Sequence, residues 1–237
     1  MCGRYAMAPT DARAWASVGE RLGPEVEQTL QSLASRYNIA PSTQVPIIYR
    51  DIEGGGPRVA LARWGLIPHW WRQSTPPKFN TINARSEDAA TKPMWRDAWR
   101  RQRCLIPATH WYEWMEDVPV KRPHALSLPD GKGFMFAGLW SQWRGASDAE
   151  PVVTCAILTR DASDSVRKVH ERMPVILHPD GWTLWIQPGD SEPRWVDDVL
   201  HAHVVTEARA WEISRRINAP RNEGPDLLLP FDPFDES

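Results

Sequence analysis

The stretch that decides the fold is GFMFAGLW at 133–140, followed after a Gly-containing turn by PVVTCAIL at 151–158. Both are short runs of apolar, β-branched and aromatic residues, which is the pattern of buried strands. Similar runs are VPIIYR at 45–50, RVALARWG at 58–65, RCLIPA at 103–108, HALSL at 124–128 and PVIL at 174–177. Gly- or Pro-containing turns separate most of these runs, which favours a curved and mostly antiparallel sheet system.

Helical patterns lie around these strands. Pro24 in a first turn and apolar residues at helical spacing predict a helix over 24 to about 35. Thr10 or Asp11 can cap a shorter helix before it, and further helical pieces are expected at 94–101 and 195–201. Because strands and helices do not alternate regularly, we predict an α+β fold with helices flanking the sheets.

The chain carries no sign of division into several domains. No Gly- or Ser-rich linker interrupts it, and EGGGP at 53–57 is short enough to connect a hairpin. We therefore expect a single domain over 1–229 and a Pro- and acid-rich tail over 230–237. We found no internal repeats.

The overall charge excludes a generally basic nucleic-acid binder. The 237 residues carry a formal net charge of -2, so any contact with DNA must come from a local patch. The densest candidate is the arginine cluster of Arg96, Arg100, Arg101 and Arg103, although charge alone favours a solvated helix face for these residues. The 14 tryptophans are consistent with an aromatic core or with exposed stacking platforms for bases.

The cysteine content indicates a reducing compartment. Cys2, Cys104 and Cys155 form an odd, sparse set that favours neither a disulfide framework nor a zinc knuckle. Cys104 and Cys155 lie in apolar runs and are expected to be core thiols. No signal peptide or long apolar stretch is present, so we expect a cytoplasmic or nuclear protein without membrane contact. No cofactor or metal is implied, and His201 with His203 is a weak metal candidate because residues two apart on a helix face different sides.

Cys2 is the most informative residue. Once Met1 is removed, Cys2 carries a free α-amine and a thiol on adjacent carbons. An aldehyde condenses with the amine to a Schiff base, and the thiol then closes a five-membered thiazolidine. The usual pKa values of these groups in an unstructured chain, about 8 for the amine and about 8.5 for the thiol, leave both partly deprotonated near neutral pH.

Several segments in order carry a family resemblance. After the start MCGRY come RYNIAPSTQVPII at 36–48, RWGLIPHWW at 63–71, NARSE at 83–87, CLIPATHWYEW at 104–114, VHERMPVIL at 169–177 and RRINAPRNEGPDLLLP at 215–230. The ordered set resembles the SRAP family, the SOS-response-associated peptidase domain proteins. The resemblance implies an α+β fold on a barrel-like sheet and covalent crosslinking of abasic sites in single-stranded DNA through a mature N-terminal cysteine.

The same resemblance implies a set of catalytic residues. Cys2 is the expected nucleophile, Asn83 and Arg85 are active-site residues, Glu113 is the proton-transfer carboxylate and His170 is the second acid/base group. These roles also make chemical sense, because opening the closed deoxyribose requires proton transfer to the ring oxygen. Apolar neighbours can raise the pKa of a carboxyl group toward neutral pH, as the aromatic residues around Glu113 would do.

We also expect a set of DNA contacts. Arg4 and Arg85 have the planar guanidinium that suits a phosphate, with the cluster over 96–103, above all Arg96 and Arg100, as a further cationic surface. Trp70 and Trp71 can stack on bases or wedge against a duplex end. We expect a monomer that protects abasic sites during the DNA damage response, with weak lyase activity and self-removal of Met1 as side reactions.

Two other classes of function remain open from the sequence. A cysteine peptidase would use Cys2 with His170 and either Glu113 or Asn83, although nothing indicates a cleft for extended peptides. A non-covalent single-stranded nucleic-acid binding module would use the tryptophans and arginines, and Cys2 would then be dispensable.

Overall fold

A computed structural model describes residues 2–9, 12–51, 55–115, 120–145 and 150–233. The strands are β1 Tyr5–Met7, β2 Arg36–Ile39, β3 Gln44–Tyr49, β4 Arg58–Trp64, β5 Asn83–Arg85, β6 Arg103–Ala108, β7 His110–Met115, β8 Arg122–Ser127, β9 Phe134–Trp143, β10 Val152–Asp161, β11 Arg172–Pro174, β12 Ile176–Leu177, β13 Val204–Val205 and β14 Arg209–Glu212. The helices are α1 Ala16–Leu22, α2 Pro24–Ser32, α3 Ser86–Ala89, α4 Arg96–Arg101, α5 Asp164–Arg167, α6 Pro179–Trp185 and α7 Pro193–His203. Short 3₁₀ turns lie at Ala12–Trp15, Arg215–Asn218 and Pro225–Leu228.

Five strands close into a barrel in the order β10, β4, β3, β6 and β9, with β9 pairing back to β10. The pairs are antiparallel except β4 with β10, which run parallel at Cys155 and Trp64. Gly138 makes the close packing possible, because a Cβ there would lie 2.9 Å from Ile106 Cδ1 and 3.1 Å from the Ala156 carbonyl oxygen. The α+β prediction with a barrel-like, mostly antiparallel sheet is confirmed.

Aromatic side chains fill much of the interior. The Tyr5 ring meets Trp64 and Phe136 edge-on, with centroids 5.3 and 5.7 Å apart. The fully or nearly buried tryptophans are Trp15, Trp64, Trp95, Trp99, Trp111, Trp140, Trp182 and Trp185. Most of the tryptophan in this chain therefore serves the core, while a minority remains at the surface.

A second sheet positions the start of the chain. It has the order β14, β8, β7, β1 and β2. Tyr5 of β1 pairs with Trp111 of β7, and the Tyr112 N–H donates to the Arg4 carbonyl at 3.0 Å. This antiparallel pairing carries the first residues of the chain alongside Glu113, the next residue of β7.

The predicted helices differ from the observed ones mainly at their ends, and α3, α5 and α6 were not predicted. Helix α2 stops at Ser32 rather than near 35, because Leu33 has an extended backbone (φ -76°, ψ 139°). Helix α4 begins at Arg96 and α7 extends to His203. Thr10 and Asp11, the expected caps of the first helix, lie outside the described residues. Over the described ranges, no helix has both the length and the apolar character needed to cross a bilayer.

The beginning of the expected tail is attached to the second sheet. Pro230 forms an antiparallel bridge with Ile213, and the Phe231 N–H donates to the Glu212 carbonyl at 2.8 Å. Residues 234–237 lie outside the described part of the chain.

Candidate active site around the second residue

Cys2 is fully buried and belongs to the main hydrophobic core. Its Sγ lies 3.9 Å from the Arg4 carbonyl oxygen, at the limit of a weak thiol hydrogen bond. Burial raises the pKa of the Cys2 thiol well above its usual value, and the negative charge of Glu113 raises it further. The thiol is therefore protonated at neutral pH and lies within the electrostatic reach of a carboxylate.

Asn83 holds the backbone of Cys2. Its Nδ2 donates to the Cys2 carbonyl at 2.8 Å. The strand that carries Asn83 is short, and it forms because β5 pairs in parallel with β10, with Asn83 opposite Ile157. The Asn83 Oδ1 is buried and has no hydrogen-bond partner among the described residues, which leaves an acceptor beside the start of the chain.

Glu113 and His170 lie close together, and the charge of Glu113 acts on the Cys2 thiol. The Glu113 side chain on β7 is only 2% exposed, and its Oε2 lies 3.9 Å from His170 Nε2. This burial contradicts the simplest alternative for Glu113, a carboxylate that points into solvent from a strand edge. The His170 side chain is 20% exposed, so the pair has an opening to solvent on the histidine side.

Backbone contacts orient the His170 imidazole. The Arg172 N–H donates to His170 Nδ1 at 2.9 Å, and the same nitrogen lies 3.1 Å from the Arg172 carbonyl oxygen. The His170 N–H in turn donates to the Val166 carbonyl at 3.1 Å. A neutral ring whose Nδ1 accepts the Arg172 N–H carries its proton on Nε2, which lies 3.9 Å from Glu113.

The Arg4 side chain extends away from Cys2 and contacts the closing segment, residues 215–230. Its Nη1 donates to Asn38 Oδ1 at 2.6 Å and to the Ile217 carbonyl at 2.9 Å. Asn38 is nearly buried, and its Nδ2 donates to three carbonyls of the closing segment, those of Ile217, Ala219 and Asn222. Arg4 is thus anchored on one side, and partial burial lowers the pKa of its guanidinium.

The other expected DNA contacts lie at or near the surface. Arg85 is exposed, and its side chain makes no hydrogen bond or ion pair within the described ranges. Trp70 is 40% exposed, and its ring centroid lies 6.1 Å from that of Trp71. Trp71 meets Phe79 edge-on at 6.3 Å, and Phe79 is 56% exposed. Trp70, Trp71 and Phe79 form an exposed aromatic patch on the loop between β4 and β5.

The arginine cluster splits into surface ion pairs and one buried side chain. Arg96 lies 3.7 Å from Asp97. Arg100 and Arg101 share Asp190, at 2.8 and 2.7 Å. Arg103 is 3% exposed and donates to four carbonyls and one hydroxyl, those of Trp185, Trp99, Arg100, Gln187 and Ser191. The expectation that Arg103 contributes to a cationic DNA groove is therefore wrong. Its guanidinium is buried, and it donates its hydrogen bonds to α4, to the end of α6 and to the segment that follows α6.

The described residues offer no metal site. None of their His, Cys, Asp and Glu side chains come together in a group of three or more that could hold an ion. His201 instead places Nδ1 2.7 Å from the Asp197 carbonyl oxygen. Cys104 and Cys155 are buried free thiols, as their apolar surroundings predicted.

Sequence reasoning missed three residues next to the site, namely Asn38, Glu87 and Arg172. Each lies inside a segment that carried the resemblance: RYNIAP, NARSE and VHERMP. Asn38 is a buried amide, and Glu87 and Arg172 form an ion pair; neither feature produces a periodic pattern in the sequence. Only their place in those segments could have indicated a role.

The fold and the site together define a class of protein. It is a single α+β domain in which an amide, that of Asn83, bonds the backbone of the buried Cys2 near a carboxylate–histidine pair. The family model "SOS response associated peptidase (SRAP)" matches residues 1–220. The chain belongs to the SRAP family.

Related proteins agree with this membership. The chain is 34% identical to "Abasic site processing protein YoqW" of Bacillus subtilis over 193 residues, 81% of this chain and 84% of that protein. It is 28% identical to "Abasic site processing protein YedK" of Escherichia coli over 232 residues, 97% and 100% of the two chains. A crystal structure of a Bacteroides thetaiotaomicron protein shares the fold, with a TM-score of 0.76 at 24% identity over 97% of this chain and 100% of that one.

Proposed function

We propose that this protein processes abasic sites by capturing them covalently in single-stranded DNA, through a thiazolidine formed at Cys2 after Met1 is removed. The observation that carries the proposal is the convergence of four residues distant in sequence. Asn83 bonds the Cys2 backbone, Glu113 acts on the Cys2 thiol electrostatically, and His170 lies 3.9 Å from Glu113. The relatives named abasic site processing proteins support the choice of substrate.

The chemistry begins with opening of the sugar ring. The abasic deoxyribose is a cyclic hemiacetal, and its C1′ aldehyde appears only when the ring oxygen takes a proton and the C1′ hydroxyl loses one. Glu113 and His170 are the two groups that exchange these protons, with the His170 Nε2–H as donor and the Glu113 carboxylate as acceptor. Burial of Glu113 excludes water and strengthens both interactions.

Ring closure on the cysteine follows in two balanced steps. The Cys2 amine attacks C1′ and one water leaves, which forms an imine. The thiol then adds across the C=N bond, its sulfur bonding to C1′ and its proton ending on nitrogen. Because burial and Glu113 raise the pKa of the thiol, this proton must be removed locally, and the adjacent Glu113 carboxylate is the base that we assign to it. Asn83 Oδ1, which lacks a partner among the described groups, is an acceptor for the Cys2 amine.

Contacts with the DNA strand come from the surface near the site. Exposed Arg85 is the phosphate contact that we favour, and Arg4, two residues after Cys2, is a second candidate. The aromatic patch of Trp70, Trp71 and Phe79 suits stacking of unpaired bases, which favours a single strand over a duplex. The surface arginines Arg96 and Arg100 serve as an outer cationic surface. We propose that the protein acts as a monomer in the cytoplasm or nucleus, where its DNA substrate resides.

Two side reactions follow from the same site. From the imine stage, loss of the proton at C2′ with departure of the 3′ phosphate gives weak lyase activity. Removal of Met1 by the chain itself is the hydrolysis that we connect with the peptidase in the family's description. Both reactions use the Glu113 and His170 pair as proton carrier.

Intact mass spectrometry tests the proposal. Protein that lacks Met1 is incubated with a single-stranded oligonucleotide bearing one abasic site and is analysed under denaturing conditions. We expect a species heavier by the oligonucleotide minus one water, absent with Cys2→Ala and retained with Cys104→Ser, whose thiol is buried elsewhere in the core. No adduct from protein shown to lack Met1 would overturn the proposal. If that protein binds the DNA only in a form that denaturant removes, and Cys2→Ala binds it equally well, a non-covalent binding module is favoured.

A further inference from the structure

A bidentate ion pair lies beside the site and takes no part in the chemistry above. The Arg172 side chain is 14% exposed, and its Nη1 and Nη2 donate to Glu87 Oε1 and Oε2, each at 2.8 Å. Nη1 also donates to Asp161 at 2.5 Å. Partial burial acts in the opposite direction, but the hydrogen bonds from Arg172 lower the pKa of Glu87 overall, so its carboxylate is ionised at neutral pH.

The pair joins two segments that lie on opposite edges of β10. Thr159 of β10 pairs with Arg85 of β5 on one edge and with Pro174 of β11 on the other. Glu87 belongs to α3, which directly follows β5, whereas Arg172 begins β11. The guanidinium therefore crosses β10, with Nη2 3.5 Å from Thr159 Oγ1 on the way.

Each of the two segments carries one part of the active site. Asn83, which bonds Cys2, begins the strand that leads into α3. On the other side, His170 lies two residues before Arg172, and the backbone N–H of Arg172 is the donor to His170 Nδ1. Fixing the Arg172 side chain on Glu87 thus fixes the backbone donor that selects the tautomer of the imidazole.

We propose that Glu87, through its ion pair with Arg172, is a positioning residue that holds His170 in its Nε2–H tautomer facing Glu113 and in register with Asn83. The catalytic part of this inference rests on the proposed function. The tautomer itself does not, because it is a property of the DNA-free protein. If the ion pair only stabilises the fold, its removal would lower the melting temperature without changing the tautomer of His170.

The test compares Glu87→Gln with Asp88→Asn in the full chain. Asp88 lies in the same short helix, but it pairs with Lys92 at 3.9 Å and both side chains are well exposed. Long-range ¹⁵N–¹H spectra of the imidazole rings in DNA-free protein report the tautomer. We expect wild-type protein and Asp88→Asn to show an unprotonated Nδ1 and a protonated Nε2 at His170. Glu87→Gln should show a mixture of both tautomers.

The second readout is the pH profile of adduct formation in single-turnover conditions. Loss of geometry at an acid/base group costs roughly tenfold or more, so we expect Glu87→Gln to be about tenfold slower with a shifted pH profile. Affinity for undamaged single-stranded DNA should stay within about twofold of wild type. Should Glu87→Gln fail to fold, Glu87→Asp keeps the charge with a shorter reach and should show the same mixture of tautomers in milder form.

The outcomes separate cleanly. A wild-type tautomer and a wild-type pH profile in the folded Glu87 variant would overturn the inference, as would the same changes in Asp88→Asn. If wild-type protein forms no adduct at all, the proposed function fails, and the tautomer spectra still decide whether Glu87 positions His170.

Discussion

Replacing Glu113 by Gln should have opposite effects on the two reactions of Cys2. Gln is nearly isosteric and can occupy the same place as the Glu113 side chain, which is only 2% exposed. The variant loses the group that accepts protons during ring opening and thiol addition. A general acid or base contributes roughly 10²–10⁴-fold, and His170 remains 3.9 Å away as the second group. We therefore expect the lower end, about 100-fold slower capture or about 2.7 kcal/mol of transition-state stabilisation.

Alkylation of the thiol should become faster in the same variant. Burial is the main cause of the raised pKa of Cys2, and the Glu113 charge is the second. Removing that charge brings the pKa of Cys2 down and increases the thiolate fraction, so iodoacetamide should label Cys2 more quickly in the absence of DNA. Glu212→Gln is a suitable control, because that carboxylate pairs with Arg122.

Both effects are measured on protein that lacks Met1. Capture is followed by denaturing gels in single-turnover conditions, alkylation by mass spectrometry of the Cys2 peptide, and DNA binding by fluorescence anisotropy, which should be unchanged. Capture within about twofold of wild type would refute the assignment of Glu113 as proton carrier. Slower alkylation would refute the electrostatic coupling between Glu113 and Cys2.

Three further predictions concern stability and DNA binding. Burial, followed by the charge of Arg209, lowers the pKa of His110 to about 4. The unfolded chain, with a histidine pKa near 6.5, therefore binds a proton that the folded protein excludes, and stability should fall by up to about 3 kcal/mol as the pH drops from about 6.5 to 4. His110→Gln should flatten this part of the pH dependence in urea unfolding, and an unchanged slope would contradict it. Arg103→Met should lower the free energy of unfolding by about 3 kcal/mol, because it leaves buried carbonyls without a hydrogen-bond donor. Binding of intact single-stranded DNA should be unchanged. Weaker binding by the folded variant would show that Arg103 does contact DNA. Trp70→Ala should lose about 1–3 kcal/mol of binding free energy for single-stranded DNA, with little change in melting temperature. Leu184 is similarly exposed, at 39%, and Leu184→Ala should leave this affinity unchanged. Equal losses of affinity in the two variants would argue against base stacking on Trp70.

The strands of the barrel could be read from local pattern. The segment predicted at 103–108 is β6 at those same residues, and the runs at 133–140 and 151–158 are the cores of β9 and β10. Strands buried on both faces read as continuous apolar runs, so their pattern is strong. The pattern did not predict β1 or β5, each only three residues long, because such strands form only where a neighbouring strand supplies the hydrogen bonds.

The proposed chemistry of the site was predicted from residue identity and order. Once Met1 is removed, a cysteine at position 2 offers an amine and a thiol together whatever the fold, and the ordered segments predicted Asn83, Glu113 and His170 as its partners. Only the tertiary structure decided which arginine side chains are exposed and which are held by other residues of the protein. Arg85 is exposed, whereas Arg103 is buried among carbonyls and Arg172 crosses β10 to Glu87. All three residues carry the same guanidinium group, and what each one does depends on the hydrogen-bond acceptors around it. Tertiary packing brings those acceptors from distant parts of the chain, so a local sequence pattern cannot predict them.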